Sequence, residues 1–208
     1  MNVVEVRNVK KAYQNKVVFD NLSFEIEEGS FVVIMGESGS GKSTLLNMIG
    51  LLDKPDSGDV ILFDQKNIKP FSRKAEIMLR DKIGYLFQNF ALVDNETVEY
   101  NLVMALDNVK GNKKDKIKEA LKIVGLEEYE KKKVYKCSGG EQQRIALARL
   151  LLKPCELVLA DEPTGSLDAH NKAIVCDLLK QMQSDGKTIV VVTHDETLKE
   201  YATQVINI

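Results

Sequence analysis

The stretch Gly36-Glu37-Ser38-Gly39-Ser40-Gly41-Lys42-Ser43-Thr44 limits what this chain can become more than any other part of it. It follows an apolar run, Phe31 to Met35, that reads as a buried parallel strand. It leads into Leu45, Leu46, Met48 and Ile49 at helical spacing. Strand, glycine-rich loop ending in Lys-Ser, then helix is the P-loop pattern. Gly36, Gly39 and Gly41 let the backbone turn tightly and bring its N–H groups against phosphate oxygens. The helix that starts there favours the same anion through its positive end. Lys42 is suited to reach the β- and γ-phosphates and the Ser43 hydroxyl to hold Mg²⁺, with Ser38, Ser40 and Thr44 in the same cradle. A strand-to-helix turn with incidental glycines is the bland alternative, and it leaves the agreement of both flanks unexplained. The stretch implies an α/β fold that binds a nucleoside triphosphate.

At 208 residues the chain suits one domain, 1–208, with a substantial core. A formal net charge of −2 gives no support for a general nucleic-acid binder, so no nucleic acid is expected as a partner. Cys137, Cys155 and Cys176 are odd in number and lack C-x-x-C spacing, which suggests neither a disulfide framework nor a zinc site and fits a reducing cytosol. The opening Met1-Asn2-Val3-Val4-Glu5 does not read as a signal peptide. No apolar run approaches the ~20 residues that span a bilayer, so any membrane-spanning part is expected from another chain.

Short strands are expected at Val4 to Val9, Val17 to Phe19 and Leu22 to Ile26, forming a small antiparallel sheet, with Tyr13 in a polar connection from Lys10 to Lys16. After the first helix, Pro55-Asp56-Ser57-Gly58 reads as a turn before a strand from Asp59 to Phe63. Ser72 can cap a helix to about Lys82 with Ile77, Met78 and Leu79 on its apolar side, and Ile83 to Phe87 reads as a strand. Thr97 is expected to cap a helix through Leu106, and Asp107 to Lys114 to form a turn. Ile117, Ala120, Leu121 and Val124 mark a further helix. The region from about 89 to 150 therefore reads as a helical insertion. Strand patterns return at Leu157 to Ala160, Thr188 to Thr193 and Val205 to Ile208, with a helix after Asp168, which implies a mostly parallel sheet covered on both faces.

In such sheets ligands lie beyond the carboxyl ends of the strands. Leu157 to Ala160 ends in Asp161 and Glu162 at that edge. Asp161 is suited to hold Mg²⁺ and Glu162 to act as general base toward a water. Most Asp-Glu pairs are surface charges; four apolar residues before this one, in a P-loop chain, argue otherwise. His194 follows Ile189 to Val192 and reaches the same edge, where it can meet the γ-phosphate, although a lone histidine is more often a cap or an exposed side chain. Gln88 also ends a strand, and its amide could bind Mg²⁺ or position water. Ser138-Gly139-Gly140-Glu141 reads locally as a capping box opening a helix; its two glycines suggest backbone open to a close-approaching anion.

Taken together, these stretches resemble the ATP-binding subunit of an ABC transporter over essentially the whole chain. Ser138-Gly139-Gly140-Glu141-Gln142-Gln143-Arg144 looks like the signature, and Asp161-Glu162-Pro163-Thr164-Gly165-Ser166-Leu167-Asp168 like Walker B running into the D-loop. Gln88 matches the Q-loop, His194 the switch histidine, and Tyr13 an aromatic that stacks on adenine. The strings are most similar to the branch serving lipoprotein release, macrolide-type efflux and peptide export, while Leu86 to Asn95 looks like its bacteriocin-export members. Cys137 and Glu141 depart from the usual signature leucine and glutamine. With one short strand after His194, no C-terminal regulatory domain of the kind some relatives carry is expected.

The resemblance implies a RecA-like P-loop NTPase fold, ATP and Mg²⁺ as cofactors, and catalytic roles for Glu162, His194, Gln88 and Lys42. It implies a head-to-tail homodimer with two ATP at its interface, Ser138, Gly139, Gly140 and Glu141 of one copy meeting ATP on the P-loop of the other. A separate transmembrane permease is the expected partner, which puts the chain in the cytoplasm, peripheral on the inner face of the membrane. Asn89 to Leu106 is the expected docking segment, with Phe90, Leu92 and Val93 as apolar anchors and Asp94, Glu96 and Glu99 as a charged rim. The cargo expected is a peptide, lipoprotein or amphipathic drug-like molecule for export or extraction. The alternatives are a soluble ABC ATPase acting on nucleic acid or ribosomes, which commonly carries two cassettes or basic extensions, and a kinase-type phosphotransferase, which has no use for Ser138-Gly139-Gly140.

Overall fold

The computed structural model describes residues 1–14, 16–107, 109–165 and 167–208. Asn15, Asn108 and Ser166, which belong to the expected 10–16 connection, the expected 107–114 turn and the Walker B string, lie outside the described residues. In chain order the strands are Asn2–Tyr13 (β1), Lys16–Glu27 (β2), Phe31–Met35 (β3), Ser57–Leu62 (β4), Gln65–Lys66 (β5), Ile83–Leu86 (β6), Leu157–Asp161 (β7), Thr188–Thr193 (β8) and Gln204–Asn207 (β9). The α-helices are Lys42–Ile49 (α1), Arg73–Asp81 (α2), Val98–Val103 (α3), Lys113–Ile123 (α4), Gly139–Leu152 (α5) and Ala169–Ser184 (α6).

Among the described residues these strands form two sheets. One is antiparallel, in the order β2-β1-β4-β5; the other runs β6-β7-β8-β3-β9, with every neighbouring pair parallel. The parallel strands β3 and β8 are buried at every position because both faces of that sheet are covered. Phe31, Val33 and Met35 pack with Leu147 of α5 and Leu179 of α6 on one side. Val32 and Ile34 point the other way, to Leu45 and Ile49 of α1 and to Val4 and Ile26 of the antiparallel sheet. Each such side chain contributes about 1.5–3 kcal/mol relative to exposure. The two-faced cover holds the carboxyl ends of β3, β6, β7 and β8 along one rigid edge.

Local differences from the sequence reading have physical causes. The expected short strands fuse into a long β1–β2 hairpin, because left-handed residues Asn8 and Asn21 and register shifts absorb the breaks in alternation. Most of the expected 10–16 connection is therefore strand, with Tyr13 at its end. Helix α2 buries Ala75 and Met78 but leaves Ile77 exposed, one residue off the inward face. Ser72, Thr97 and Asp168 cap α2, α3 and α6 through their side chains. Helices α3 to α5 belong to the same hydrophobic cluster as β3 and β7, so the 89–150 region shares its core with the sheet.

Candidate functional site

The sharp turn between β3 and α1 depends on Gly41. It takes φ +100 at the N-cap, and a Cβ there would lie 2.3 Å from Val18 Cγ1 and 2.7 Å from Phe19 Cζ. That close approach sets the loop against β2 and leaves a cleft of about 480 Å³ above the sheet edge. Tyr13, Ser38, Gly39, Gly41, Lys42, Ser43, Thr44, Gln88, Glu162 and His194 all line it, so residues from five separate parts of the chain meet in one place. Lys16, Val18 and Gly165 line it too. Sequence reading missed these three; the first two sit on β2, one turn from Tyr13, where only strand pairing brings them to the loop.

Two pairs of contacts organise the cleft floor. Ser43 Oγ donates to Asp161 Oδ1 at 3.2 Å, joining the first turn of α1 to the end of β7. Burial pushes the Asp161 carboxyl above its usual range against the Ser43 hydrogen bond, and neighbouring Glu162 adds to the rise. A half-buried carboxylate beside a hydroxyl and a second carboxylate is an oxygen donor set that fits a hard divalent cation. Glu162 itself sits at φ 46, in the left-handed region that a β-strand end does not require. There its Oε2 accepts from Thr193 Oγ1 at 2.9 Å and its Oε1 lies 2.9 Å from His194 Nδ1. Thr193, the last residue of β8, is a partner that the sequence reading missed although it directly precedes His194.

The other expected residues are placed as follows. Lys42 is nearly buried, and its Nζ donates to the carbonyls of Gly36 at 2.7 Å and Glu37 at 2.9 Å. An ammonium withdrawn from water has to be hydrogen-bonded, so it folds over its own loop while still lining the cleft. Gly36 and Ser40 do not line it: the Ser40 hydroxyl is buried without a partner, and a Cβ on Gly36 would lie 2.5 Å from it. Ser138, Gly139, Gly140 and Glu141 lie outside this cleft. They form the capping box of α5. Glu141 accepts from Ser138 N–H at 2.7 Å, from the Tyr129 hydroxyl at 2.6 Å and from Lys132 at 3.3 Å. Burial alone would raise the Glu141 carboxyl, but these bonds hold it below the usual range, so its side chain is turned inward. The two glycines differ. A Cβ on Gly140 would lie 2.9 Å from Asn171 at the start of α6, whereas nothing lies within 4 Å of one on Gly139. Cys137 is buried, which raises its thiol, and it fills the small apolar space before the cap.

Along 89–106 Phe90 and Leu92 are partly buried against the core rather than presented as anchors. The Arg149 guanidinium ties this stretch to α5 by donating to the carbonyls of Phe90 at 2.7 Å and Ala91 at 2.5 Å. Val93, Tyr100 and Met104 are the exposed apolar residues there. A second cleft of about 400 Å³ opens beside them, with Tyr85, Phe87 and Met104 on its walls and the cations Arg80, Arg149 and Lys153 outnumbering the single acid, Asp107, around them.

A family model described as ABC transporter matches residues 19–165. Over its whole length the chain is 37% identical to the macrolide export ATP-binding/permease protein MacB of Mannheimia succiniciproducens, spanning 33% of that protein. It thus spans about a third of the length of the MacB proteins it matches. It is 39% identical to an uncharacterized ABC transporter ATP-binding protein of Methanocaldococcus jannaschii, covering 98% of this chain and 92% of that one. It is 38% identical to the spermidine/putrescine import ATP-binding protein PotA of Mycoplasma mycoides, over 94% of this chain and 55% of the relative. A solved dimeric ATP-binding cassette in a post-hydrolysis state, bound to ADP and Pi, superposes with a TM-score of 0.89 at 37% identity, covering 99% of this chain and 94% of that one.

Proposed function

The chain belongs to the ABC transporter family as an ATP-binding subunit with ATPase activity, and on that premise we propose how its residues divide the work. The loop N–H groups of 36–44 and the Lys42 ammonium hold the triphosphate, with Lys42 exchanging its carbonyl partners for β- and γ-oxygens. Ser43, Asp161 and Gln88 hold Mg²⁺, which when bound neutralises charge on the phosphates. Glu162 takes a proton from the attacking water. Thr193 and His194 fix its carboxylate, and the strained backbone at Glu162 aims it across the cleft. His194, exposed on its outer side, is free to meet the γ-phosphate at the same time. Tyr13 lies against the base.

The observation that carries this reading is the meeting of two linked pairs at one cleft: Glu162 with His194, both lining it, and Ser43, which lines it, with Asp161 behind it. Glu162→Gln keeps the shape and removes the base. Turnover should fall by about 100-fold or more with ATP affinity retained, and ATP with Mg²⁺ should hold the variant as a dimer in gel filtration. Hydrolysis near the parent rate would take Glu162 out of the role.

The same proposal treats 1–208 as one ATPase domain with a helical insertion at about 89–150. Gly139, with open space around it, suits a signature surface that closes on ATP held by a second copy. ATP then stabilises the closed pair through its differential affinity, and loss of the γ-phosphate releases it. A separate membrane permease docks beside 89–106, placing the chain on the inner membrane face. The cargo is exported or extracted, and is a peptide, lipoprotein or amphipathic drug-like molecule. The MacB likeness supports this direction; the PotA likeness is to an importer, and uptake against efflux in vesicles bearing the assembled transporter decides between them.

A further inference from the structure

Tyr13 ends β1 half exposed, a position in which a ring ordinarily samples several rotamers. Here it is held from two sides. Its hydroxyl donates to Asp53 Oδ2, on the loop that leaves α1. The Lys11 ammonium lies 4.8 Å from the ring centroid. Lys11 is 6% exposed, unusual for a lysine, and its Nζ donates to Asp53 Oδ1 at 2.9 Å and to the Lys54 carbonyl at 2.8 Å. Asp53 Oδ1 also accepts from Lys54 N–H at 2.7 Å, so both carboxylate oxygens are engaged. The loop is anchored in turn. Leu52 and Asp53 donate through their N–H groups to Asn47 of α1, and Asp56 is bonded to β1 through Ala12 N–H and the Lys10 carbonyl.

A rigid path therefore runs from α1, whose first turn carries Lys42, Ser43 and Thr44, through Asp53 to the Tyr13 ring, whose hydroxyl also meets Thr44. A buried cation is costly unless it is paired and hydrogen-bonded, and Lys11 meets that condition only with Asp53 held where it is. We infer that Asp53 and Lys11 are positioning residues that hold Tyr13 at a set height above the phosphate loop, so that base and phosphates are bound in one register. The inference rests on the reading that Tyr13 meets the nucleotide base. Hydrogen bonding to Asp53, with burial, holds the Tyr13 phenol above its usual range, which agrees with a hydroxyl kept as a donor. Neither Asp53 nor Lys11 lines the cleft; both act through the ring.

The test compares Tyr13→Phe, Asp53→Asn, their double variant and Tyr13→Ala in the full chain. Affinities for ATP and for inorganic tripolyphosphate, which has no base, are measured by titration calorimetry, with melting temperature alongside. Tyr13→Phe and Asp53→Asn should each weaken ATP about fivefold, the double variant no more than either alone, and tripolyphosphate affinity should hold. Tyr13→Phe leaves the Lys11–Asp53 pair intact, so it remains decisive if Asp53→Asn fails to fold. If Tyr13→Ala weakens ATP while Tyr13→Phe leaves it at the parent value, positioning is overturned and the base reading stands. Equal loss of ATP and tripolyphosphate affinity in Asp53→Asn assigns Asp53 to the phosphate loop and overturns the inference. An unchanged ATP affinity in Tyr13→Ala removes the base reading itself.

Discussion

Asp195 shows how a single side chain can brace the site without entering it. It stands just after His194 and accepts from Lys172 Nζ at 2.7 Å, Thr164 Oγ1 at 3.1 Å and Thr197 N–H at 3.1 Å. Thr164 follows Glu162 by two residues, so Asp195 ties the loop after β7 to the loop after β8 and to α6. Burial alone would raise the carboxyl, but hydrogen bonds from Lys172, Thr197 and Thr164 outweigh it and hold Asp195 well below the usual carboxylate range. A depressed folded value means stability that is present above the unfolded value of about 4 and lost as pH falls through and below it. Asp195→Asn should therefore melt lower than the parent at pH 7, and the gap should shrink steadily below about pH 4. A gap independent of pH would show that Asp195 acts by packing alone. Residue identity was legible at Asp161, Glu162 and His194 because each follows an apolar strand. The bracing role of Asp195 was not, since Lys172 and Thr164 lie 23 and 31 positions away.

At the scale of elements, the stretch between Gln88 and α3 is pinned where sequence composition suggested it was offered. Asn101 is fully buried; its Oδ1 accepts from Val93 N–H at 2.7 Å and its Nδ2 donates to the carbonyls of Val93 and Thr97. Arg149 holds Phe90 and Ala91 from the other side. The exposed surface is instead the cleft between α2, α5 and residues 104–107, with aromatic walls and three cations against one acid, Asp107. Lys153 is half-buried there, and desolvation lowers its ammonium, so an acidic group on an incoming segment would meet a cation already stripped of part of its water. On the proposal that the permease docks here, Lys153→Glu should reduce recovery of the chain with native membranes about tenfold, with ATP hydrolysis by the purified chain held within about twofold. Unchanged recovery would move docking elsewhere. The acids Glu96 and Glu99, expected as the rim, do not line this cleft, and Glu96 faces Lys133 at 3.8 Å.

For the whole molecule, the cleft and the signature surface lie apart on one chain, and a second copy is proposed to bring them together. Cysteines introduced at Ser38 and Gly139 should crosslink between chains in the presence of ATP, shown by a band at twice the mass on non-reducing gels. The native Cys137, Cys155 and Cys176 are all buried, which keeps the background low. Crosslinks found only within single chains would rule out the shared site. Much of this architecture was readable in advance, because strand and helix period, caps and the P-loop are local properties carried by consecutive residues. A parallel sheet then obliges the ends of its strands to share an edge, which is why Gln88, Asp161, Glu162 and His194 could be assigned to one place before any contact was known. What only the tertiary structure decided were pairings across the chain and the directions side chains take. Lys42 folds over Gly36 and Glu37, Glu141 turns to Tyr129, Phe90 packs inward, and Tyr13 bonds to Asp53, 40 residues away. Those choices are made by polar groups finding partners, and by apolar ones such as Phe90 finding space, among what packing leaves within reach, and no local pattern along the chain specifies which partner that is.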